Sequence, residues 1–378
     1  PKAWEASGHL TGGFVDLLVE CKKCHQRFKG DDKPEKCSNC GAKEFTGARQ
    51  FNTMFKTFVG PAEDTASVAY LRPETAGGIF VNFKNVLDTM RVKVPFGIAQ
   101  IGKAFRNEIN PKDFIFRTRE FEQMELEYFV NPKEADKIFK NWVKERINWY
   151  KKIGLKNIRE KEQKSDERAH YSKATVDIEY EFPFSAQGGS ASGRGWQEIE
   201  GVANRGDFDL KAHSKASGKD FTYSDDETKE KYIPYVIEPS AGVERIMLAL
   251  LCEAYHEEQG ANGEGRIVLK LQPHLAPYKI AVFPLLANKP ELVKLAREIY
   301  KMLKLPINYQ LPLTVAWDDR GNIGKRYYSQ DEIGTPYCVT VDFDSLEKED
   351  VTVRDRDTTK QERIDIEGLG DYFREKLN

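Results

Sequence analysis

Residues 105–125 read FRNEINPKDFIFRTREFEQME, and this stretch decides the fold. Charged and aromatic residues alternate towards its two ends, which a short loop through Pro111 separates. Alternate side chains of a strand share a face, so Arg106 and Glu108 project to the same side. The pattern predicts two strand-like segments joined by a loop, with a guanidinium and a carboxylate close together on one face.

Such a face carries the groups that a nucleotide site needs. Arginine binds phosphate through two parallel hydrogen bonds, and an acid or a backbone group reads the base. The charge pattern alone fits a salt-bridged surface hairpin equally well. Motifs elsewhere in the chain must decide between the two interpretations.

A second group of motifs consists of RPET at 72–75, QEIEG at 197–201 and EPSAGVER at 238–245. Arg245 opens a helix that is otherwise almost wholly apolar. A buried arginine needs an anionic or aromatic partner, whereas an arginine at the mouth of a helix reaches solvent. Both placements stay open at this point.

Hydrophobic spacing around these motifs divides the chain into elements. Strand-like alternation from about residue 68 to 130 predicts an antiparallel sheet. Apolar residues at helical spacing after Pro132 predict an amphipathic helix that ends near Gly154. A second helix is expected over 243–255, with Ser240 as its N-cap, and its apolar residues on nearly all sides predict that it is buried.

A connector with two prolines, Gln272–Pro277, marks the predicted domain boundary and gives domains at 1–272 and 273–378. Strands and helices alternate in the second domain, which predicts a compact α/β fold of about 100 residues. The expected strands cover 279–285, 313–317 and 337–342, and the expected helices cover 290–303 and 369–377.

Composition and charge describe an ordinary globular protein. The 378 residues are 40% hydrophobic, enough to build a sizeable core in two or three domains. With 58 Lys and Arg against 60 Asp and Glu, contacts to RNA would have to come from local basic patches. No apolar stretch approaches the roughly 18 residues that span a bilayer, and no secretory pattern opens the chain, so we expect a cytoplasmic protein without membrane contact.

Residues 14–51 form a short Cys-, Gly- and Lys-rich module with two CxxC pairs. The spacing lets four thiolates converge tetrahedrally on one Zn²⁺, and the alternative is four unrelated reduced cysteines. A closed four-sulfur shell has no open position for substrate, which predicts a structural metal. The module's basic residues suit the phosphates of an RNA end and a solvated surface equally well. The predicted zinc ligands are Cys21, Cys24, Cys37 and Cys40.

Together these motifs resemble a known family. The hairpin is similar to motif 2 of the class II aminoacyl-tRNA synthetases, and GVER at 242–245 is similar to motif 3. With WEASGH at 4–9, RPETAGG at 72–78 and EPSAG at 238–242, the set resembles the homodimeric glycyl-tRNA synthetases. Several motifs in the family's order, over most of the chain, make the resemblance specific.

The resemblance implies an α+β catalytic domain at 1–272, with an antiparallel sheet of about seven strands flanked by helices and a zinc-ribbon-like insertion. An α/β anticodon-binding domain at 273–378 would follow. The chain begins within what resembles the end of motif 1, so we expect a region upstream of it that contributes to a homodimer. The Gly- and Ser-rich segment 185–195 is longer than the connection expected before the next strand.

The implied reaction has two steps. The carboxylate of glycine attacks the α-phosphate of Mg²⁺-bound ATP, and the terminal ribose of tRNA(Gly) then takes the glycyl group. By match to motif 2, Arg106 holds the α-phosphate and the glycine carboxylate, Glu108 lies near the adenine amino group, and Arg117 meets the outer phosphates. Phe121 stacks on one face of adenine, and Arg245 of motif 3 covers the other. Glu198 matches a carboxylate that binds Mg²⁺, and the catalytic residues would be Arg106, Glu198 and Arg245. The implied ATP-binding residues are Arg106, Asn107, Glu108, Phe116, Arg117, Phe121, Glu198, Ile199, Gly242 and Arg245.

Glycine has no side chain to grip, so its recognition must use the ammonium group and exclude anything larger. Three carboxylates near one ammonium explain selection for the amino group, and a pocket too small for a methyl rejects alanine without a separate editing domain. The implied glycine-binding residues are Glu74, Arg106, Phe121, Glu122, Gln123, Glu125, Glu238 and Ser240.

Two other classes of protein could carry such motifs. A non-catalytic tRNA-binding relative would lose its phosphate-binding arginines first, yet Arg106, Arg117 and Arg245 are all present. A ligase that activates another small acid without tRNA would have no use for an anticodon-binding domain. Both alternatives are therefore weaker than the synthetase.

Overall fold

The computed structural model describes residues 1–30, 33–164, 168–169, 172–184, 195–259, 265–305 and 313–377. The chain divides into two compact units, one of residues 1–150 and 157–249, the other of residues 151–156 and 250–378. The connector Gln272–Pro277 falls inside the second unit, and the domain boundary after Gln272 stays a prediction. The segment 185–194 lies outside the described residues.

The first unit is built on one antiparallel sheet and the helices around it. Its strands are β1 (Val15–Glu20), β2 (Arg27–Lys29), β3 (Arg49–Asn52), β4 (Lys56–Phe58), β5 (Val68–Tyr70), β6 (Phe96–Phe105), β7 (Glu120–Val130), β8 (Ile158–Glu162), β9 (Ala174–Phe182), β10 (Gly195–Gly206), β11 (Tyr223–Ser224), β12 (Lys231–Tyr232) and β13 (Tyr235–Gly242). Its helices are α1 (Lys2–Ala6), α2 (Ala76–Met90), α3 (Ala135–Lys152), α4 (Phe208–Ser217) and α5 (Val243–Ala254), the last running on into the second unit.

The central sheet has six strands among the described residues, in the order β6-β7-β13-β10-β9-β8, all antiparallel. The sheet expected from the sequence had about seven. A smaller sheet, β2-β1-β3, carries the cysteine-rich module. The antiparallel sheet expected for the first domain is thus confirmed.

The quoted hairpin differs from the prediction at its tip. Strand β6 ends at Phe105 and β7 begins at Glu120, so the intervening residues form a loop. The backbone N–H of Arg106 still donates to Arg119 O, but that of Asn107 donates to Thr53 O on another segment. The ladder therefore ends where the chain turns towards Thr53.

Helix α2 lies inside the region 68–130 that the sequence predicted to be sheet, and this prediction was wrong there. Its buried residues Ala76, Ile79, Phe80 and Phe83 recur at helical spacing and pack in one cluster with Phe129 of β7. Helix α3 was predicted correctly.

Two expectations about α5 were also wrong. Ser240 lies in β13, paired with Glu125, and does not cap the helix. Most residues of α5 are only half-buried, and Met247 is 54% exposed.

The second unit is built on a five-stranded sheet. Its strands are β14 (Tyr255–Gln259), β15 (Gly265–Leu269), β16 (Ile280–Pro284), β17 (Val315–Trp317), β18 (Tyr337–Val341), β19 (Asp350–Asp355) and β20 (Gln361–Asp365). Its helices are α6 (Pro290–Lys304), α7 (Ile323–Ile333), α8 (Phe343–Lys348) and α9 (Leu369–Leu377). The five-stranded sheet has the order β17-β16-β18-β19-β20, in which β17, β16 and β18 are parallel and the rest antiparallel. Helix α6 packs over a core of aliphatic and aromatic residues.

All five elements predicted for this unit are found, and the α/β class is confirmed. The hairpins β14-β15 and β19-β20 and helices α7 and α8 were not predicted. No helix in the described part of the chain is long and apolar enough to cross a membrane.

Candidate active site

Strand register places the candidate residues on one face of the central sheet. Glu125 of β7 pairs with Ser240 of β13, Ser240 pairs with Gly201 of β10, and Gly201 pairs with Asp177 of β9. Acidic and hydroxyl side chains thus surround a glycine in the middle of the row. Because Gly201 has no side chain, there is space above the sheet at this position.

A first cavity, which we name the arginine cavity, opens at one end of this face. Arg106 and Arg117 reach it from the loop between β6 and β7, and Arg245 reaches it from the first turn of α5. It is lined by nine of the ten residues implied for ATP: Arg106, Glu108, Phe116, Arg117, Phe121, Glu198, Ile199, Gly242 and Arg245. The tenth, Asn107, does not line it.

Two guanidinium groups lie over aromatic rings in the arginine cavity. The guanidinium of Arg245 lies over the ring of Phe116 at 4.5 Å, and that of Arg106 lies over Phe121 at 5.4 Å. Arg245 also donates to the backbone oxygens of Phe116 (3.2 Å) and Glu198 (3.1 Å). Its Nη1 also lies 3.7 Å from Glu198 Oε2, so the guanidinium of Arg245 has both the aromatic and the anionic partner that a half-buried arginine requires.

A second cavity, the carboxylate cavity, adjoins the first. It is lined by Glu74, Gln123, Glu125, Asp177, Glu198, Glu238 and Ser240, and Arg106 lines both cavities. Of the residues implied for glycine, Phe121 lines only the arginine cavity. Glu122 lines neither, because it lies on the opposite face of β7 from Gln123, and its backbone N–H donates to the carboxylate of Glu244 at 2.9 Å.

Glu125 is an organising residue whose two oxygens already have partners. Its Oε2 accepts from the hydroxyl of Thr75 and from the backbone N–H groups of Thr75 (2.8 Å) and Ala76 (2.7 Å) at the start of α2. Its Oε1 accepts from Gln123 (2.6 Å) and Ser240 (2.8 Å). A carboxylate at a helix N-terminus meets unpaired N–H groups and a partial positive charge, so Glu125 anchors α2 against β7.

The amide of Gln123 has a fixed orientation. Its Nε2 donates to Glu125 Oε1 at 2.6 Å and to Ser240 Oγ at 2.9 Å, which leaves Oε1 pointing away from them. That oxygen is buried and has no hydrogen-bond partner among the residues that the structure describes. Gln123 lines both cavities, so an unpaired acceptor lies at their junction.

Glu74, immediately before Thr75, lies beside His9 at a distance of 3.1 Å between Oε1 and Nε2. Burial acts to raise the pKa of Glu74, but His9 and the charges of Arg205 and Arg106 outweigh it and hold the pKa at about 2. Glu74 is therefore a buried carboxylate that stays ionised.

Glu238 is a buried carboxylate in a more acidic setting. It faces Glu127 across the β7–β13 pair and accepts from Arg205 Nη1 at 2.5 Å, while Arg205 also binds Asp209 through two hydrogen bonds. Burial raises the pKa of Glu238 to about 8, with the charge of Glu125 adding to the effect and Arg205 opposing it. The cavity holds more carboxylates than cations, which favours a cationic ligand.

Glu198 and Asp177 converge over Gly201. A Cβ on Gly201 would lie 3.7 Å from Glu198 Oε1 and 4.0 Å from Asp177 Oδ1. Burial, and then the charge of Glu198, raise the pKa of Asp177 to about 6. Magnesium takes one or two carboxylates as its protein ligands, so this pair beside the arginine cavity fits that ion.

The four cysteines of the module form one cluster. Their sulfurs all lie within 4.8 Å of one another, with Cys21 and Cys40 at 3.6 Å and Cys24 and Cys37 at 3.5 Å. Four sulfurs at about 2.3 Å from a tetrahedral Zn²⁺ lie roughly 3.8 Å apart. The spacing therefore fits zinc.

Sequence reasoning missed three buried residues of the site. Ser7 and His9 belong to the WEASGH motif, which was noted without a role, and Arg205 follows the QEIEG motif by four residues. An arginine amid the apolar end of β10 and a histidine in a motif near the N-terminus were the available signals. Neither signal by itself identifies the carboxylate that the residue contacts.

Fold and site together define a class of protein, and two matches to known families agree. Residues 58–254 match the tRNA synthetase class II core domain (G, H, P, S and T), and residues 279–376 match an anticodon binding domain. This is a class II aminoacyl-tRNA synthetase, a ligase.

Curated relatives narrow the class further. The glycine–tRNA ligase of Borreliella burgdorferi is 52% identical over 385 residues, covering 100% of this chain and 82% of the relative. Those of Alkaliphilus oremlandii and Thermobifida fusca are 51% and 49% identical, and this chain, covered at 100%, spans 84% and 83% of their lengths. The chain belongs to the glycine–tRNA ligase family.

Proposed function

We propose that this chain activates glycine with ATP and transfers the glycyl group to the 3′ end of tRNA(Gly). The observation that carries the proposal is that Arg106 lines both the arginine cavity and the carboxylate cavity. One guanidinium thus borders a space suited to phosphates and a space suited to an ammonium group. Activation of an amino acid joins these two kinds of ligand.

In the first step a carboxylate oxygen of glycine attacks the α-phosphorus of ATP, and the bond to the bridging oxygen breaks. Glycyl-adenylate and pyrophosphate result. Arg106 is placed to bind the glycine carboxylate and the α-phosphate together, and Arg117 to bind the outer phosphates. The transition state gains negative charge at the phosphorus, which these fixed guanidinium groups neutralise.

In the second step a terminal ribose hydroxyl of tRNA attacks the carbonyl carbon of the adenylate, and AMP leaves. Both nucleophiles belong to substrates, so no side chain has to form a covalent bond. The protein acts by positioning and by neutralising charge.

Glycine would lie with its ammonium group in the carboxylate cavity. The ionised carboxylate of Glu74, the unpaired Oε1 of Gln123 and the carboxylate of Glu238 are the acceptors there. Glu125 supports them indirectly, because its hydrogen bonds fix Gln123, Ser240 and the start of α2. Glu122 is not proposed as a contact.

Adenine is proposed to lie against the aromatic rings of the arginine cavity, Phe116 and Phe121, with Arg245 at its face. Glu198 and Asp177 would hold Mg²⁺, which supplies charge neutralisation at the phosphates of ATP. Glu108, Ile199 and Gly242 would complete the walls of the nucleotide pocket.

Zinc is proposed as a structural ion of the module 14–51, bound by Cys21, Cys24, Cys37 and Cys40. We expect one equivalent of zinc per chain by elemental analysis, and loss of that zinc in a Cys37→Ser variant. A Cys338→Ser variant is the matched control, because Cys338 is buried in β18, outside the module. Less than one equivalent in the unaltered chain would contradict the four-sulfur site.

The second unit is proposed to bind the anticodon of tRNA(Gly), in keeping with its family match. A homodimer and a cytoplasmic location are proposed from the resemblance to the family. Sedimentation velocity tests the dimer directly.

The decisive experiment is amino-acid-dependent exchange of labelled pyrophosphate into ATP, with glycine, alanine and serine compared. Exchange with glycine alone would support the proposed activity, because it isolates adenylate formation from tRNA binding. Exchange with another small acid would favour a different ligase, and no exchange by folded, zinc-loaded protein would favour a binding relative.

A further inference from the structure

Ser7, His9 and Glu74 form a buried chain of side chains behind the carboxylate cavity. Their exposed fractions are 4%, 3% and 5%. Ser7 Oγ lies 2.7 Å from His9 Nδ1, and His9 Nε2 lies 3.1 Å from Glu74 Oε1. The reaction proposed above uses only the last of the three directly.

We infer that Ser7 and His9 are positioning residues that aim Glu74 at the ammonium group of glycine. The inference rests on the proposed function and deepens it. A lone carboxylate in a buried site can turn away or take up a proton. A fixed imidazole whose N–H lies 3.1 Å from one oxygen opposes both, because it attracts that oxygen and favours the charged form.

The tautomer of His9 follows from its two neighbours. A neutral ring with its proton on Nδ1 would set the lone pair of Nε2 against the carboxylate of Glu74, which is unfavourable. With the proton on Nε2, the ring turns the positive end of its N–H towards Glu74 Oε1 at 3.1 Å, an electrostatic contact without hydrogen-bond alignment, and Nδ1 accepts from the hydroxyl of Ser7. Ser7 therefore selects the ring form that serves Glu74.

Aromatic packing fixes the plane of the imidazole. The ring of His9 stacks on Phe14 with centroids 4.8 Å apart, and the edge of Trp4 approaches it at 5.1 Å. Trp4 in turn lies against the backbone of α2, since a Cβ on Gly77 would come within 2.8 Å of its ring. Helix α2 begins two residues after Glu74, so the imidazole and the carboxylate it contacts are held on one rigid support.

The other ligands of the cavity do not need this support. Glu238 is held by Arg205, and Gln123 is held by Glu125 and Ser240. Within the described residues, His9 is the side chain in closest ion-pair contact with Glu74. Removing the N–H of His9 should therefore affect glycine and leave ATP binding largely unchanged.

The test compares three variants in the pyrophosphate exchange assay. His9→Phe keeps a flat ring between Trp4 and Phe14 but has no N–H, and we expect the KM for glycine to rise about tenfold or more while the KM for ATP stays within about twofold. His9→Gln restores a donor and should recover part of the loss. His213→Gln is the matched control, because His213 is also buried but contacts Phe80 and not Glu74.

Each outcome decides one question. Unchanged glycine KM in both His9 variants, with folding verified by circular dichroism, would overturn the positioning role while leaving the activity in place. Equal rises in the KM for glycine and for ATP, or an equal effect of His213→Gln, would mean general loss of structure and would also overturn it. If His9→Phe does not fold, Ser7→Ala decides, since it leaves the ring in place and should raise the glycine KM alone. Absence of glycine-dependent exchange in the unaltered chain would overturn the proposed function, and the positioning role with it.

Discussion

At the scale of single residues, the site is dominated by buried carboxylates that have different tasks. Glu125 is saturated with hydrogen bonds, Glu74 is held ionised, and Glu238 has a pKa raised to about 8. The three carboxyl groups are chemically identical, but their surroundings differ. Burial, neighbouring charges and donated hydrogen bonds therefore shift the pKa of each one differently. A motif match can identify all three as ligands, but it does not distinguish an anchor from a contact.

The raised pKa of Glu238 predicts a pH-dependent affinity for glycine. Below about pH 8 the free carboxyl group holds a proton that an incoming ammonium group displaces, so binding releases a proton and tightens as pH rises. We expect the Kd to fall by up to about tenfold per pH unit between roughly pH 6.5 and 7.5. Titration calorimetry in two buffers with different ionisation enthalpies measures both the affinity and the released proton.

Glu238→Gln is the control for this prediction. The amide cannot titrate, so the variant should bind glycine more weakly and its Kd should change less with pH. An unaltered chain whose glycine affinity is independent of pH would contradict the assignment.

Glu125→Gln should destabilise the first unit. The amide replaces a charge at the N-terminus of α2 and sets an NH₂ group among donors, which we expect to lower the free energy of unfolding by about 2–4 kcal/mol. Glu122→Gln on the opposite face of β7 should have little effect. Urea denaturation of both variants makes the comparison, and equal losses would contradict the anchoring role of Glu125.

At the scale of elements, helix α2 is central because its first turn binds Glu125 and Glu74 lies two residues before it. Two neighbouring glycines in that turn meet different surroundings. A Cβ on Gly77 would lie 2.8 Å from Trp4, whereas a Cβ on Gly78 would have only Gln100 Oε1 nearby, at 3.9 Å.

Alanine at these two positions should therefore have opposite effects. Gly78→Ala removes backbone freedom from the unfolded chain at an exposed site and should stabilise by about 0.5–1 kcal/mol. Gly77→Ala forces the ring of Trp4 to move and should destabilise by about 1–3 kcal/mol. Thermal unfolding of the pair tests this, and a stabilised Gly77→Ala variant would show that Trp4 does not pack as described.

Helices and strands could be predicted from the sequence where burial leaves a regular apolar spacing, and were missed where distant residues hold them in place. Helices α3 and α6 have one apolar face, and their spacing shows it directly. Helix α2 was missed because its first turn, Ala76-Gly77-Gly78, has poor helix propensity and is held by Glu125, which is distant in sequence. The sequence analysis predicted strand for residues of the β6–β7 loop. The ladder ends there because Asn107 bonds to Thr53, which is also distant in sequence.

The site residues also divide into those that lie in local motifs and those whose contacts join distant parts of the sequence. Arg106, Gln123, Glu125 and Ser240 could be named because the motifs that contain them resemble those of the family, and each lies beside or within a strand of the central sheet. The contact between His9 and Glu74 joins residues 65 positions apart through an irregular segment. Residue spacing does not predict contacts of that kind.

At the scale of the whole molecule, the second unit has its own buried ionic centre. Asp331, fully buried, accepts two hydrogen bonds from Arg354 (2.8 and 2.9 Å) and one from Arg266 (2.9 Å). It belongs to α7, while its partners belong to β19 and β15, so one carboxylate joins three elements.

Asp331→Ala removes the buried carboxylate that Arg354 and Arg266 share, and in the part of the chain that the structure describes only Arg266 keeps a second one, Glu258 at 3.1 Å. The change should destabilise the second unit by about 3–5 kcal/mol. Glycine-dependent pyrophosphate exchange should persist, because every residue proposed for that step belongs to the first unit, while charging of tRNA should fall. Asp344→Ala, which removes an exposed pair with Lys348, is the control and should leave unfolding and charging near their original values. Equal unfolding curves for the two variants would contradict this prediction.

Arg106 between the two cavities has one more consequence. Free glycine is a zwitterion and therefore an electric dipole, and the site presents a fixed dipole of its own, with guanidinium groups at one end and ionised carboxylate at the other. An amino acid that enters is turned by this field before it touches any wall. In the proposed reaction its carboxylate would then already face the α-phosphate of ATP before the two molecules touch. Molecules with only one of the two charges lack this alignment, however well they would fit by size.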